Sequence, residues 1–234
     1  MKITQRPSPN FDDRPDDVAI DMLVLHYTGM ETGTAALDRL CNEESKVSSH
    51  YLVEEDGTII QLVEDTKRAW HAGASYWSGR ESLNAYSVGI EIVNPGHEWG
   101  YQDFPEVQME AVKDLSVHLI KTHGIPQYNV VAHSDIAPDR KEDPGEKFDW
   151  KFMARNGVGI WPAAYDVMQA PDMREAMKAL GIIGYKVGTN EQNFQAVRAF
   201  QRRYRGNQVD GNLDKITYGR ILALAEIINA HKNP

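Results

Sequence analysis

The chain has 234 residues, 25 Lys and Arg against 34 Asp and Glu, a net charge of −9 and a single cysteine. That length supports one sizeable core, or a medium domain beside a small one; the acidic balance without a long basic block excludes nucleic acid and anionic membrane as partners, and one cysteine excludes an internal disulfide. No apolar run approaches the roughly 18–20 residues of a membrane helix, and Met1 to Asn10 holds neither an apolar h-region nor a small-residue cleavage site, so the sequence as written predicts a cytoplasmic protein, or a periplasmic or wall-associated one if its N-terminus has been trimmed.

Residues 1–17, rich in Pro, Asp and Arg and without periodicity, read as an irregular lead-in. Val18 to His26 reads as a strand buried on both sides, with Val24 and His26 on one face and Leu23 and Leu25 on the other. Thr34 to Cys41 has the apolar spacing of a short helix. Ser48 to Val63 reads as a β-hairpin about Asp56 and Gly57, with His50 early in its first strand. Arg68 to Trp77 is a glycine-containing loop centred on His71, and its Trp70, Tyr76 and Trp77 offer flat faces to a sugar or peptide.

Ser87 to Val93 is a further strand, with Gly89, Glu91 and Val93 on one face and Val88, Ile90 and Ile92 on the other. A carboxylate in such company needs a partner or an elevated pKa. Val107 to His123 is a helix ended by Gly124 and Pro126. Val130 to His133 is a short strand that opens into a turn-rich loop carrying Lys141 and Asp143. Past Trp161 and Pro162 the texture is helical: Met173 to Leu180, Phe194 to Tyr204, and Asp214 to Ala230 with Asp214 as N-cap. Phe194, Val197 and Phe200 are expected in the core of a small bundle joined near residues 163–170, with Arg198, Arg202, Arg203 and Arg205 on its solvated face.

His26 and His133 each close a strand-like run, and Asp143 follows ten residues after the second. Two imidazoles and a carboxylate are the kind of donor set that holds a catalytic zinc with a fourth position open. Glu91 is placed to handle a proton and Lys141 to face a developing oxyanion. Taken singly, each residue could equally satisfy a local hydrogen bond or ion pair. His97, His118, His123 and His231 carry no such signal.

The strings Leu25 to Thr28, Ser48 to Val53, Ala69 to Trp77, Val88 to Ile92 and Asn129 to Gly145 together resemble the zinc-dependent N-acetylmuramoyl-L-alanine amidases of the amidase-2 type, especially their AmpD and AmiD branch. The resemblance implies an α/β fold with a mixed central β-sheet flanked by helices over residues 1–165. It also implies one Zn²⁺ on His26, His133 and Asp143, Glu91 as acid/base, Lys141 as transition-state cation, and His71, Trp70, Trp77 and His50 toward substrate. The implied reaction cleaves the amide between N-acetylmuramic acid and L-alanine in peptidoglycan or muropeptides; a non-catalytic recognition protein on the same fold is the alternative. Some members carry a tyrosine just before the hairpin histidine, where this chain has Ser49. Residues 166–234 resemble a three-helix peptidoglycan-binding domain through Ala196 to Tyr204 and the turn at Val209, Asp210 and Gly211.

Overall fold

A computed structural model describes residues 2–162 and 170–233. In chain order its regular elements are β1 (Ile3–Gln5), β2 (Phe11–Asp13), β3 (Met22–Tyr27), α1 (Gly33–Leu40), β4 (Tyr51–Val53), β5 (Ile59–Gln61), β6 (Lys67–Ala69), β7 (Tyr76–Trp77), β8 (Arg80–Glu81) and β9 (Ser87–Ile92). There follow α2 (Gly96–Trp99), α3 (Glu106–His123), β10 (Val130–Ala132), α4 (His133–Ile136), α5 (Trp150–Arg155), α6 (Met173–Ile183), α7 (Asn190–Tyr204) and α8 (Lys215–Lys232).

Six strands form a mixed sheet in the order β1-β5-β4-β9-β3-β10. The four strands from β4 to β10 are mutually parallel, and β5 turns back antiparallel on β4 through the hairpin expected at Asp56 and Gly57. Because β3 and β9 are parallel with His26 opposite Glu91, and β10 lies parallel on the other side of β3, the C-terminal ends of three neighbouring parallel strands deliver His26, Glu91 and His133 to one edge. Open α/β sheets place their ligands at such an edge.

The strand alternation decides what covers each face. Leu23, Leu25, Val88, Ile90 and Ile92 pack with Val112, Leu115 and Leu119 of α3, so one face is sealed by that helix. Met22 and Val24 point the other way, into a cluster with Trp77, Ile136 and the apolar sides of α6, α7 and α8. Farther along that face, Leu52 and Val93 meet Ala36, Leu37 and Leu40 of α1. The His26 and Glu91 face is therefore roofed by α1 on one side and by the C-terminal helices on the other, with a gap between them.

Several expectations need correcting. The lead-in contributes two short strands, β1 at the sheet edge and β2 paired with β6; such pairings come from tertiary contact and leave no periodic trace. His133 does not open a loop but starts the single turn α4, because the Asp135 carboxylate accepts from the Ala132 N–H (2.9 Å) and caps it. Phe194 is 41% exposed, lying over Gly211, whose missing Cβ leaves room for the ring. Arg202, Arg203 and Arg205 are buried rather than solvated: Arg203 pairs with Asp135 and Arg202 with Glu142, both in the segment that follows β10, while Arg205 pairs with Asp214. The expected boundary at 165/166 falls outside the described residues; α6 to α8 bury their apolar sides against the sheet face as well as against one another.

Candidate functional site

At the edge where β3, β9 and β10 end, a cleft of about 430 Å³ opens between α1 and the segment 140–143. His26 Nδ1 lies 2.9 Å from His133 Nδ1 and 3.1 Å from Asp143 Oδ2, and His133 Nδ1 lies 2.9 Å from the same carboxylate oxygen. All three side chains are buried. Donors on a tetrahedral zinc at ~2.0–2.1 Å stand about 3.3 Å apart, so these three could hold one such ion with little adjustment.

The other ring nitrogens show what the inward ones carry. His133 Nε2 is 3.3 Å from the Ala72 carbonyl, which can only accept, so in the neutral ring the proton sits on Nε2 and Nδ1 is bare. Burial above all pushes the His26 pKa down to about 4, which keeps that imidazole neutral at physiological pH. Neutral imidazoles and an ionised carboxylate are the ligating forms. Three lone pairs converging at this distance repel one another unless a cation lies among them.

Glu91 stands beside His26 across the β3–β9 ladder and lines the cleft. Its Oε2 is buried with no hydrogen-bond partner among the described residues. Burial, reinforced by the Asp143 charge and opposed by Lys141, raises its pKa well above the ordinary carboxylate value. Lys141 lines the same cleft, and among the described residues its ammonium has no salt-bridge partner. Arg140 beside it is committed: its guanidinium donates to the carbonyls of Ala72 (2.7 Å) and Ala74, tying the aromatic loop to the segment that carries Asp143.

The four residues expected at substrate separate into two pairs. Trp70 and His71 line the cleft. Trp77 is 2% exposed and packs edge-on against Tyr185 at 5.0 Å, within the core. His50 is fully buried: its Nδ1 accepts from the Gly89 N–H (3.0 Å), which leaves the proton on Nε2 to be donated to the Lys67 carbonyl (3.1 Å). Neither Trp77 nor His50 lines the cleft.

Among the lining residues that escaped the sequence reading are Tyr27, Arg39 and His97. Tyr27 hydroxyl and His97 Nδ1 are 3.0 Å apart, and His97 Nε2 is 3.1 Å from Glu146, stacked on Tyr101 at 4.4 Å. His97 follows the strand that carries Glu91, and loops after central strands are where site residues gather; that was the available signal. For Arg39, on an amphipathic helix, no signal distinguished it from an ordinary solvated charge.

Comparison with known proteins agrees with this geometry. The profile of the N-acetylmuramoyl-L-alanine amidase family, Amidase_2, matches residues 16–146. The N-acetylmuramoyl-L-alanine amidase AmiD of Escherichia coli is 35% identical over 88% of this chain and 83% of its own length, and the 1,6-anhydro-N-acetylmuramyl-L-alanine amidase AmpD of the same organism is 38% identical over 62% of this chain and 86% of its own. The solved complex of E. coli AmiD with the substrate anhydro-N-acetylmuramic acid-L-Ala-D-γ-Glu-L-Lys superposes with a TM-score of 0.82 at 32% identity, covering 93% of this chain and 98% of that one, so the likeness extends into the C-terminal helices. With a family profile over more than half its length and a relative matched nearly end to end, this chain belongs to the N-acetylmuramoyl-L-alanine amidases.

Proposed function

We propose that this amidase cleaves the bond between the lactyl group of N-acetylmuramic acid and the L-alanine of the stem peptide, in muropeptides or peptidoglycan, with a zinc ion held by His26, His133 and Asp143. The observation that carries the reading is the convergence of their three donor atoms within 3.1 Å of one another at the floor of the cleft. When bound, zinc acts as a Lewis acid on the scissile carbonyl and makes water a competent nucleophile near neutral pH.

The remaining steps belong to the chain. Glu91, enclosed and with a raised pKa, takes a proton from the attacking water and returns it to the leaving nitrogen of L-alanine. Lys141 presents an ammonium with no salt-bridge partner among the described residues to the charge that develops on the carbonyl oxygen. Trp70 supplies an aromatic surface for the saccharide, and Arg39 of α1, which lines the same cleft, supplies a cation suited to a stem-peptide carboxylate. Relatives solved with anhydro-muramyl peptides make the soluble fragment the first substrate to try.

The test is incubation of zinc-loaded protein with anhydro-muropeptide and with intact sacculi, reading free stem peptide by mass spectrometry. Release from either supports the amidase reading, and their ratio assigns the preferred form; binding without release from both assigns the chain to recognition instead. Glu91→Gln should retain zinc and lose about 10²–10⁴ in turnover, whereas Asp143→Ala should lose the metal. A fully active Glu91→Gln removes Glu91 from the mechanism.

A further inference from the structure

We propose that His71 and Ser87 are positioning residues for the metal centre: together they set the tautomer and ring orientation of His26, so that its bare Nδ1 faces the metal position. With His26 taken as a ligand, as proposed above, this adds the group that makes it one.

The direction of each hydrogen bond can be read from the far end of the relay. Ser87 hydroxyl donates to the Leu83 carbonyl at 2.8 Å, which can only accept. Its oxygen is left to accept from His71 Nε2, 3.2 Å away, so that nitrogen carries the proton. His71 Nδ1 is then an acceptor, and it lies 3.0 Å from His26 Nε2. His26 must donate there, and its Nδ1 is left without a proton. The two ligand imidazoles are thus held differently: His133 by the Ala72 carbonyl, which no substitution removes, and His26 by a side chain. A ligand imidazole whose other nitrogen is held this way is both oriented and made a better donor.

Two further features are built to hold His71. Asn84 Oδ1 accepts from the backbone N–H groups of His71 (3.1 Å) and Ala72 (2.7 Å), fixing the loop. On β9, Gly89 faces the ring, and a Cβ there would stand 2.6 Å from His71 Cγ and Nδ1. The strand gives up a side chain at the one position where the imidazole must lie. With both its nitrogens engaged inside the protein, His71 acts through His26 and not through substrate.

Nitrogen-15 NMR of the histidine rings in the zinc-loaded protein tests the relay directly: His71 is expected as the Nε2–H tautomer with a hydrogen-bonded Nδ1, and a His71 protonated at Nδ1 overturns the proposal. Zinc affinity, measured by competition with a chromophoric chelator, gives the energetic readout. His71→Ala is expected to weaken zinc about 10- to 100-fold, His71→Asn, whose amide oxygen can stand near the Nδ1 position, to recover most of that, and Ser87→Ala to show a smaller loss. A purely structural role would lower the thermal stability of the metal-free protein and leave zinc affinity unchanged, which also overturns it. His26→Ala separates the two levels: if it binds zinc like the parent, the ligand assignment fails; if it loses zinc while His71→Ala does not, only the relay fails.

Discussion

Replacing Arg203 by methionine asks whether the C-terminal helices hold the segment that carries His133 and Asp143 in place. Arg203 Nη1 donates to Asp135 Oδ2 at 2.7 Å and Nη2 to the Val130 carbonyl at 3.0 Å, while the guanidinium lies 3.9 Å from the Trp150 ring centre. Both side chains of the ion pair are at most 4% exposed. Methionine keeps most of the stem volume but leaves the Asp135 carboxylate with only the Tyr185 hydroxyl and the Ala132 N–H. Deleting one partner of a buried pair costs about 3–5 kcal/mol, against under ~1 kcal/mol for an exposed pair such as Arg6 with Asp38. For a chain of this size that corresponds to a fall of about 6–20 °C in melting temperature. Urea unfolding followed by tryptophan fluorescence and far-ultraviolet dichroism gives the free energy. One transition is expected in both probes, because Met22 and Val24 of the sheet share a cluster with Leu180, Phe200 and Leu224. Adding Asp135→Asn should recover part of the loss, since a neutral amide tolerates the missing cation. A loss under about 1 kcal/mol, or two separate transitions, would refute the reasoning.

Stability should also fall with acid through His50, whose pKa is pushed down to about 3 by burial first and then by Arg14. The folded value lies below the ordinary 6.5, so the contribution is fully present above pH 6.5 and is lost as pH falls toward 3, with a slope of at most ~1.4 kcal/mol per pH unit; His50→Asn, which keeps an acceptor for the Gly89 N–H, should remove that component from a parent-minus-variant comparison. Chelation of zinc should abolish turnover while leaving a folded protein, because the sheet behind the donors is buried by apolar clusters that contain none of them, and zinc at a hundred times its Kd should add about 2.7 kcal/mol; unfolding on chelation would make the metal structural. Gly124 ends α3 at φ 66° with nothing near a would-be Cβ, so Gly124→Ala should cost about 1 kcal/mol from backbone alone, checked by urea titration, and Gly124→Asn clearly less.

The candidate site was legible because its residues obey local rules. Strand β3 showed as a run buried on both sides and β9 as an apolar run carrying one glutamate, and the placing of His26, Glu91 and His133 at or near strand ends follows from those readings plus parallel pairing. The hairpin about Asp56 and Gly57 and the stop of α3 at Gly124 were equally local. What local rules could not settle was which side chains face solvent. His50 and Trp77 lie in segments rich in aromatic and polar residues, the usual texture of a binding wall, yet one is fixed by backbone groups on both nitrogens and the other is covered by Tyr185. Only the position of α6 to α8 over the sheet decides that Trp77 is core.

The same position explains the arginines of α7. Apolar spacing marked the side of that helix bearing Val197, Phe200 and Tyr204, but residues 199–205 at its C-terminal end are buried all round, and the polar surface there must be neutralised rather than hydrated. Arg203 and Arg202 are adjacent in sequence, about 100° apart around the axis, and each finds a carboxylate: Asp135 on α4, two residues after His133, and Glu142, one residue before Asp143. The helical segment therefore grips the stretch 133–143 close to both of its proposed metal ligands. Periodicity registers only the apolar half of such a helix; the charged half is intelligible once its partners in the distant loop are known. A binding module joined only by a flexible tether would need neither pair, so loosening either one should disturb His133 or Asp143 before it disturbs the sheet.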